Sequence, residues 1–154
     1  MSYLKYSAFY NKKMSKYTTT ARQDLTNSFS TALGSEITYE PFSITEKVVY
    51  EYVTSWTYKD ETSKINFRIL EYNTGTNEWD VINGAYMTIK TKKAGSNQVC
   101  IKFLLNAWAG AKQLKIECKE ESDSLEGYLH SNKENTKFFD PIVSCVGTKW
   151  NVIP

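Results

Sequence analysis

The amino-acid sequence predicts an all-β fold, an antiparallel two-sheet jelly-roll sandwich carrying an extended N-terminal arm. Three observations predict it. Alternating segments recur from Gly34 onward, as in Leu114-Lys-Ile-Glu-Cys-Lys119, where Leu114, Ile116 and Cys118 share one face and Lys115, Glu117 and Lys119 the other. That two-residue period belongs to strands with one face buried and one in water. Turn signals divide these segments at a spacing of roughly 8–12 residues, as in sandwiches and barrels. Eleven tyrosines and seven phenylalanines supply side chains that favour strands and interfaces. An immunoglobulin-like sandwich would call for an inter-sheet cysteine pair with its tryptophan, and a lipocalin-like barrel for a longer meander. The jelly roll fits about eight to ten strands in one domain of this length.

The first third reads differently from the rest. Residues 11–33 are dense in Ser, Thr, Lys and Asn, so this stretch buries little apolar surface by itself and reads as an arm. Tyr3, Leu4, Tyr6, Phe9 and Tyr10 make its tip adhesive. Residues 1–33 carry Lys5, Lys12, Lys13, Lys16 and Arg22 against Asp24, a net +4 in a chain whose total is +2. Tyr3, Tyr6, Phe9, Lys12, Lys13 and Lys16 are the candidate attachment residues. A short helix over Ala21–Leu33, capped by Thr20 with Leu25, Phe29 and Leu33 on one face, is the alternative for the end of the arm. The expected division is an arm at 1–33, a head at 34–147 and a short tail at 148–154.

In the head, Glu36–Phe42 is a short strand ended at Pro41. Lys47–Tyr58 is long, with Tyr50, Tyr52, Trp56 and Tyr58 on one face and Val49 and Val53 opposite. A polar turn at 59–63 leads to Lys64–Tyr72, and Asn73-Thr-Gly-Thr-Asn77 is a hairpin turn. Glu78–Asn83 and Ala85–Thr91 are expected to pair across Asn83-Gly84, the favoured two-residue turn dipeptide. Gln98–Trp108 points Val99, Ile101, Phe103 and Leu105 inward, and Leu125–His130 and Pro141–Val146 close the set.

Little in the chain suggests chemistry. His130 is the only histidine, which removes histidine triads and multi-histidine metal sites within one chain. No phosphate-binding glycine loop, nucleophile elbow or zinc motif is present. The acidic clusters Asp60-Glu61 and Glu120-Glu121-Ser-Asp123 lack calcium-loop spacing and read as solvated turns. No catalytic residue, metal or cofactor is expected. Cys100, Cys118 and Cys145 lie far apart within apolar stretches and read as buried free thiols, favouring assembly in a reducing cytoplasm. The near-neutral charge argues against nucleic acid. No signal-peptide core or membrane-length apolar run occurs, so no membrane partner is expected either.

Tyr50, Tyr52 and Trp56 fill the sandwich, line a subunit interface or stack on a sugar. The interface is favoured over the sugar site because Val49 and Val53 already supply an apolar opposite face, and tyrosine joins apolar contact to a polar tip. Tyr128 and His130 complete the interface candidates.

Gly34-Ser-Glu-Ile-Thr-Tyr-Glu-Pro41 and Lys47-Val-Val-Tyr-Glu-Tyr52 resemble the first strands of jelly-roll proteins in virions of tailed phages and large DNA viruses. Lys112–Glu121, Ser122-Asp-Ser124 with Tyr128-Leu-His130, and Pro141-Ile-Val-Ser144 resemble their later strands. In that family a Trp-Asp-Gly turn often follows the histidine, whereas this chain has Phe138-Phe139-Asp140 nearby. The resemblance implies a fold like tumour necrosis factor, a homotrimer, and a place as capsid decoration or as tail or fibre component. It implies no catalytic residues.

Together these readings predict a non-enzymatic virion structural protein, assembled in the host cytoplasm. It would be a trimeric decoration, cement or tail component held to major capsid or tail proteins by its arm. The alternative is the receptor- or glycan-binding tip of a phage tail fibre, stacking host surface glycan on aromatics such as Trp79 or Tyr86. A polysaccharide-degrading enzyme is a third class, which loss of polysaccharide viscosity would reveal.

Overall fold

A computed structural model describes residues 6–16, 22–58, 62–93, 95–121, 127–131, 134, 136–138 and 140–152. Its described residues form strands, turns and loops, and none is helical. The strands are β1 (Tyr6–Lys16), β2 (Gln23–Asp24), β3 (Ser30–Thr31), β4 (Ile37–Tyr39), β5 (Lys47–Tyr58), β6 (Lys64–Asn73), β7 (Glu78–Lys90), β8 (Ser96–Asn106), β9 (Lys112–Glu120), β10 (Gly127–Leu129) and β11 (Ile142–Val152).

Two antiparallel sheets result. In the first, β1-β11-β5-β8 lie side by side, with β10 and β2 continuing beside the far end of β5. In the second the order is β4-β9-β6-β7, with β3 also on β9. Setting aside the short β2, β3 and β10, the eight remaining strands pair first with last (β1–β11), second with seventh (β4–β9), third with sixth (β5–β8) and fourth with fifth (β6–β7). One long hairpin wrapped into two sheets has this pairing, so the chain is a jelly roll.

The core lies between the sheets. Val48, Tyr50, Tyr52, Ile101, Phe103, Leu105, Val143 and Cys145 come from the first, and Ile37, Tyr39, Ile65, Phe67, Ile69, Leu114, Ile116 and Cys118 from the second. Burial pushes the Cys118 and Cys145 thiols up to about 12, so both are protonated. Cys100 departs from the expectation of three buried thiols: it is exposed, because position 100 falls on the outward phase of β8.

The first third corrects the expected domain division. Residues 6–16 are extended, but as β1 they pair along their whole length with β11. Thr148–Val152, expected to be a tail, are the end of β11 and pair with Tyr6–Tyr10. β2 pairs with β10 and β3 with β9, while Leu25 and Ala32 lie in the core. Strands of both sheets come from before residue 33 as well as after it, and Ala21–Leu33 forms no helix in its described residues.

β3 and β4 act as one interrupted strand against β9. Leu33-Gly34-Ser35 bulges out between them, and Ser35 Oγ fills the gap in the ladder, accepting from Ile116 N at 3.1 Å and donating to Ile116 O at 3.3 Å. Asn83-Gly84 is likewise a bulge and not the expected hairpin turn. Residues on both sides of it pair with β6, and the register shifts between Arg68 and Leu70. Gly84 has φ +76°, a left-handed conformation suited to such an insertion. The expected turn at residues 73–77 does form: Gly75 N donates to Asn73 Oδ1 at 2.9 Å, and Asn77 takes φ +57°.

The charged face of β9 is another correction, since it is roofed and not open to solvent. Lys115 is 8% exposed, with Nζ 4.5 Å from the centre of the Trp79 ring and donating to Thr31 Oγ1 at 3.0 Å. Phe29 lies against the Arg68 guanidinium at 4.0 Å and Lys119 Nζ at 4.8 Å. Across the strands, Arg68 donates to Glu117 at 2.6 Å.

Candidate assembly surface

The alternation in β5 separates two apolar faces, and packing of the second sheet decides which is enclosed. Tyr50 and Tyr52 point inward and are fully buried. Tyr50 donates to Ser35 O, and Tyr52 donates to Leu33 O at 2.6 Å, so the two hydroxyls tether the bulge between β3 and β4 from inside. Burial raises both phenols above their ordinary range. Trp56 is also buried. These three residues therefore belong to the interior of one chain, which corrects the interface expectation: side chains covered by their own second sheet offer nothing to a neighbour.

Tyr128 and His130 are buried too, at the β5–β10 end of the first sheet. The Arg22 guanidinium lies 4.1 Å over the Tyr128 ring. His130 is 1% exposed, has φ +73°, and bonds through Nδ1 to Thr54 Oγ1 at 2.8 Å. Its backbone N–H donates to Ser55 O at 3.0 Å. Loss of hydration lowers its pKa to about 4, so the ring is neutral near pH 7 and serves the fold.

The opposite face of the first sheet is open. Residues directly across an antiparallel ladder share a face, and the registers give three rows: Lys16-Ile142-Val53-Cys100, Met14-Ser144-Glu51-Lys102 and Lys12-Val146-Val49-Leu104. Met14 is 61% and Leu104 70% exposed. Ile142, Val53, Val146 and Val49 are half-buried. The Lys102–Glu51 pair, at 2.9 Å, sits among them. Partial burial and then the Glu51 carboxylate push the Cys100 thiol up, so it is not an activated nucleophile. Sequence reasoning missed these residues as a surface, although Val49 and Val53 opposite the tyrosines were the visible signal.

The attachment candidates meet different fates. Tyr3 lies outside the described residues. Tyr6 and Phe9 occupy β1 positions opposite Val152 and Lys149. Lys12, Lys13 and Lys16 are exposed along β1, with Lys16 paired to Asp140 at 3.1 Å. Of the aromatics considered for glycan stacking, Trp79 packs edge-on against Tyr72 at 5.3 Å, whereas Tyr86 is 59% exposed. A cleft of about 390 Å³ opens between the β7 bulge and the end of β8, where Ile82, Phe103, Leu105 and Trp108 meet the paired Glu71 and Lys112. Among the described residues no group of three or more His, Cys, Asp or Glu is placed to hold a metal ion.

No family model matches the chain, and no curated protein matches it. Among solved structures, it is similar to a protein from the Bacillus endospore appendages described as disulfide-linked pili, at 8% identity and TM-score 0.31, covering 96% of this chain and 92% of that one. It is also similar to the Eiger TNF from S. frugiperda, at 9% identity and TM-score 0.39, covering 85% and 96%. A third similarity is to the T13 viral particle of IBDV, at 9% identity and TM-score 0.41; 94% of this chain is covered, but it spans only 40% of the viral one. These neighbours include a TNF-like protein and a viral capsid protein, but at such scores the jelly-roll assignment rests on the strand pairing itself.

Proposed function

We propose that the chain is a non-enzymatic structural protein of a virion, a jelly-roll subunit that works by assembling with copies of itself and with other particle proteins. The observation supporting this reading is the open face of the first sheet, where Val49, Val53, Ile142, Val146, Met14 and Leu104 gather apolar surface around one ion pair. Contiguous exposed apolar surface of this kind marks interaction sites. The second sheet contrasts with it, because Phe29 and Trp79 cover its charged outer side. A homotrimer closed around the middle of the open face would bury its apolar surface, and the exposed lysines of β1, at the edge of the sheet, would then face an acidic capsid or tail surface.

Solution mass by light scattering tests the assembly. Three times the chain mass is expected, and a chain that stays monomeric at all concentrations overturns the trimer. Attachment is tested by reversing Lys12 and Lys13 to Glu, since deleting residues 1–33 would remove β1, β2 and β3 from the fold. The double reversal is expected to leave the fold intact and abolish association with particles; undiminished association would overturn the role of this edge.

A further inference from the structure

The edges of the two sheets are not alike. A strand edge carries unpaired backbone N–H and C=O groups and pairs readily with another chain, so sheets blunt their edges with lysines, bulges or short strands. β1 carries Lys12, Lys13 and Lys16. β7 is bulged at Gly84, and β2, β3 and β4 are two or three residues long. β8 has no bulge and is not short, and it carries one lysine where β1 carries three. It is eleven residues long, pairs with β5 without a register shift over its whole length, and contains a single charged residue, Lys102. Among the described residues no other strand lies beside it.

We propose that the free edge of β8 pairs antiparallel with β8 of a second copy of this chain, joining two first sheets into one continuous sheet. The strand is self-complementary for this purpose. The register that pairs all eleven residues has its two-fold axis at Ile101, which keeps inward residues opposite inward ones. On the outer face it sets Lys102 opposite Cys100 of the second copy, and Leu104 opposite Gln98. The one charge of the strand therefore never meets itself. Sliding the centre to Lys102 would oppose two lysines, which is unfavourable. The pairing rests on the assembly reading above but is made through the backbone edge of β8, at the rim of the open face where Cys100, Lys102 and Leu104 end its rows, so a two-fold β8 contact can link neighbouring trimers or act alone.

Cys100 provides the test, because it is exposed and lies directly opposite Lys102 of the other copy in this register. Cys100→Lys places two lysine pairs around the axis and is expected to weaken two-fold association by about two- to thirty-fold, whereas Cys100→Glu is expected to strengthen it by a similar factor. Association is followed by sedimentation, and hydrogen exchange of the full chain at low and high concentration reads the edge itself. Amides of Ser96–Asn106 that face away from β5 should gain protection as concentration rises, and in the wild type a short bis-maleimide should link the two Cys100 thiols, about 8 Å apart by strand spacing and rise. Two substitutions with the same effect, or an edge that gains no protection while the chain associates, would overturn the β8 pairing and leave the trimer standing. Protection of β8 with a dimer as the largest species would overturn the trimer and support the pairing.

Discussion

His130 makes folding sensitive to mild acid. The ring is buried, its Nε2 has no hydrogen-bond partner among the described residues, and its pKa falls from 6.5 to about 4. The folded state therefore holds the neutral form, while the unfolded chain takes up a proton below pH 6.5. Because the folded pKa is the lower one, stability is complete above pH 6.5, falls as pH drops through the window from 6.5 to about 4, and levels off below it. Each unit is worth about 1.4 kcal/mol, so the full window costs about 3 kcal/mol, a large share of a domain's stability. His130→Asn isolates this effect, since Asn tolerates φ near +73°, keeps a polar group toward Thr54 and does not titrate. Urea unfolding of both proteins from about pH 8 to about pH 4 gives the difference in stability, in which the contributions of the carboxylates cancel. That difference should be constant above pH 6.5 and then move by about 3 kcal/mol in favour of the His130→Asn variant toward pH 4. Parallel curves would refute the reasoning, as would an imidazole that titrates near 6.5 in the folded chain by NMR.

Three further positions probe the packing and the bulges. Ser35→Ala removes the hydroxyl that bridges β3 to β4 and leaves Ile116 N buried without its acceptor; a loss of about 1–3 kcal/mol is expected in denaturant unfolding. Gly147→Ala should cost about 1–3 kcal/mol, because its Cβ would stand 2.5 Å from both Glu46 Oε2 and Tyr39 Oη, two side chains that are themselves buried; an unchanged melting midpoint would show that they give way freely. Gly84→Ala meets nothing within 4 Å, so only the left-handed backbone opposes it; about 1–2 kcal/mol is expected from thermal unfolding, and Gly84→Asn should recover part of the loss.

Particular segments show where the sequence was legible. The turn at residues 73–77 could be read because Asn73 and Gly75 satisfy one another locally. Asn83-Gly84 carries the same local signal but lies inside β7, since Ile82 and Ala85 pack on the core and hold both flanks against β6. The polar composition of residues 22–33 suggested an arm, yet Leu25 and Ala32 are enough to seat it, with Gln23 donating to Thr31 O at 2.7 Å and Phe29 lying between Arg68 and Lys119. Few apolar residues are needed where backbone pairing and cation–π contacts supply the rest.

The sequence by itself determined where the strands of the head lie, the hairpin turn at residues 73–77 and the separation of each strand into two faces, because a period of two is a local property of extended backbone. It also placed Tyr50 and Tyr52 opposite Val49 and Val53. Only the tertiary structure decided which of those faces is the core. Both are apolar, so alternation cannot rank them, and the choice depends on what the second sheet presents across the gap. Ser35 and Leu33 present backbone carbonyls there, which the phenols of Tyr50 and Tyr52 can reach and valine cannot satisfy. The tyrosines are inside for that reason, and the valines are left on the surface that assembly would cover.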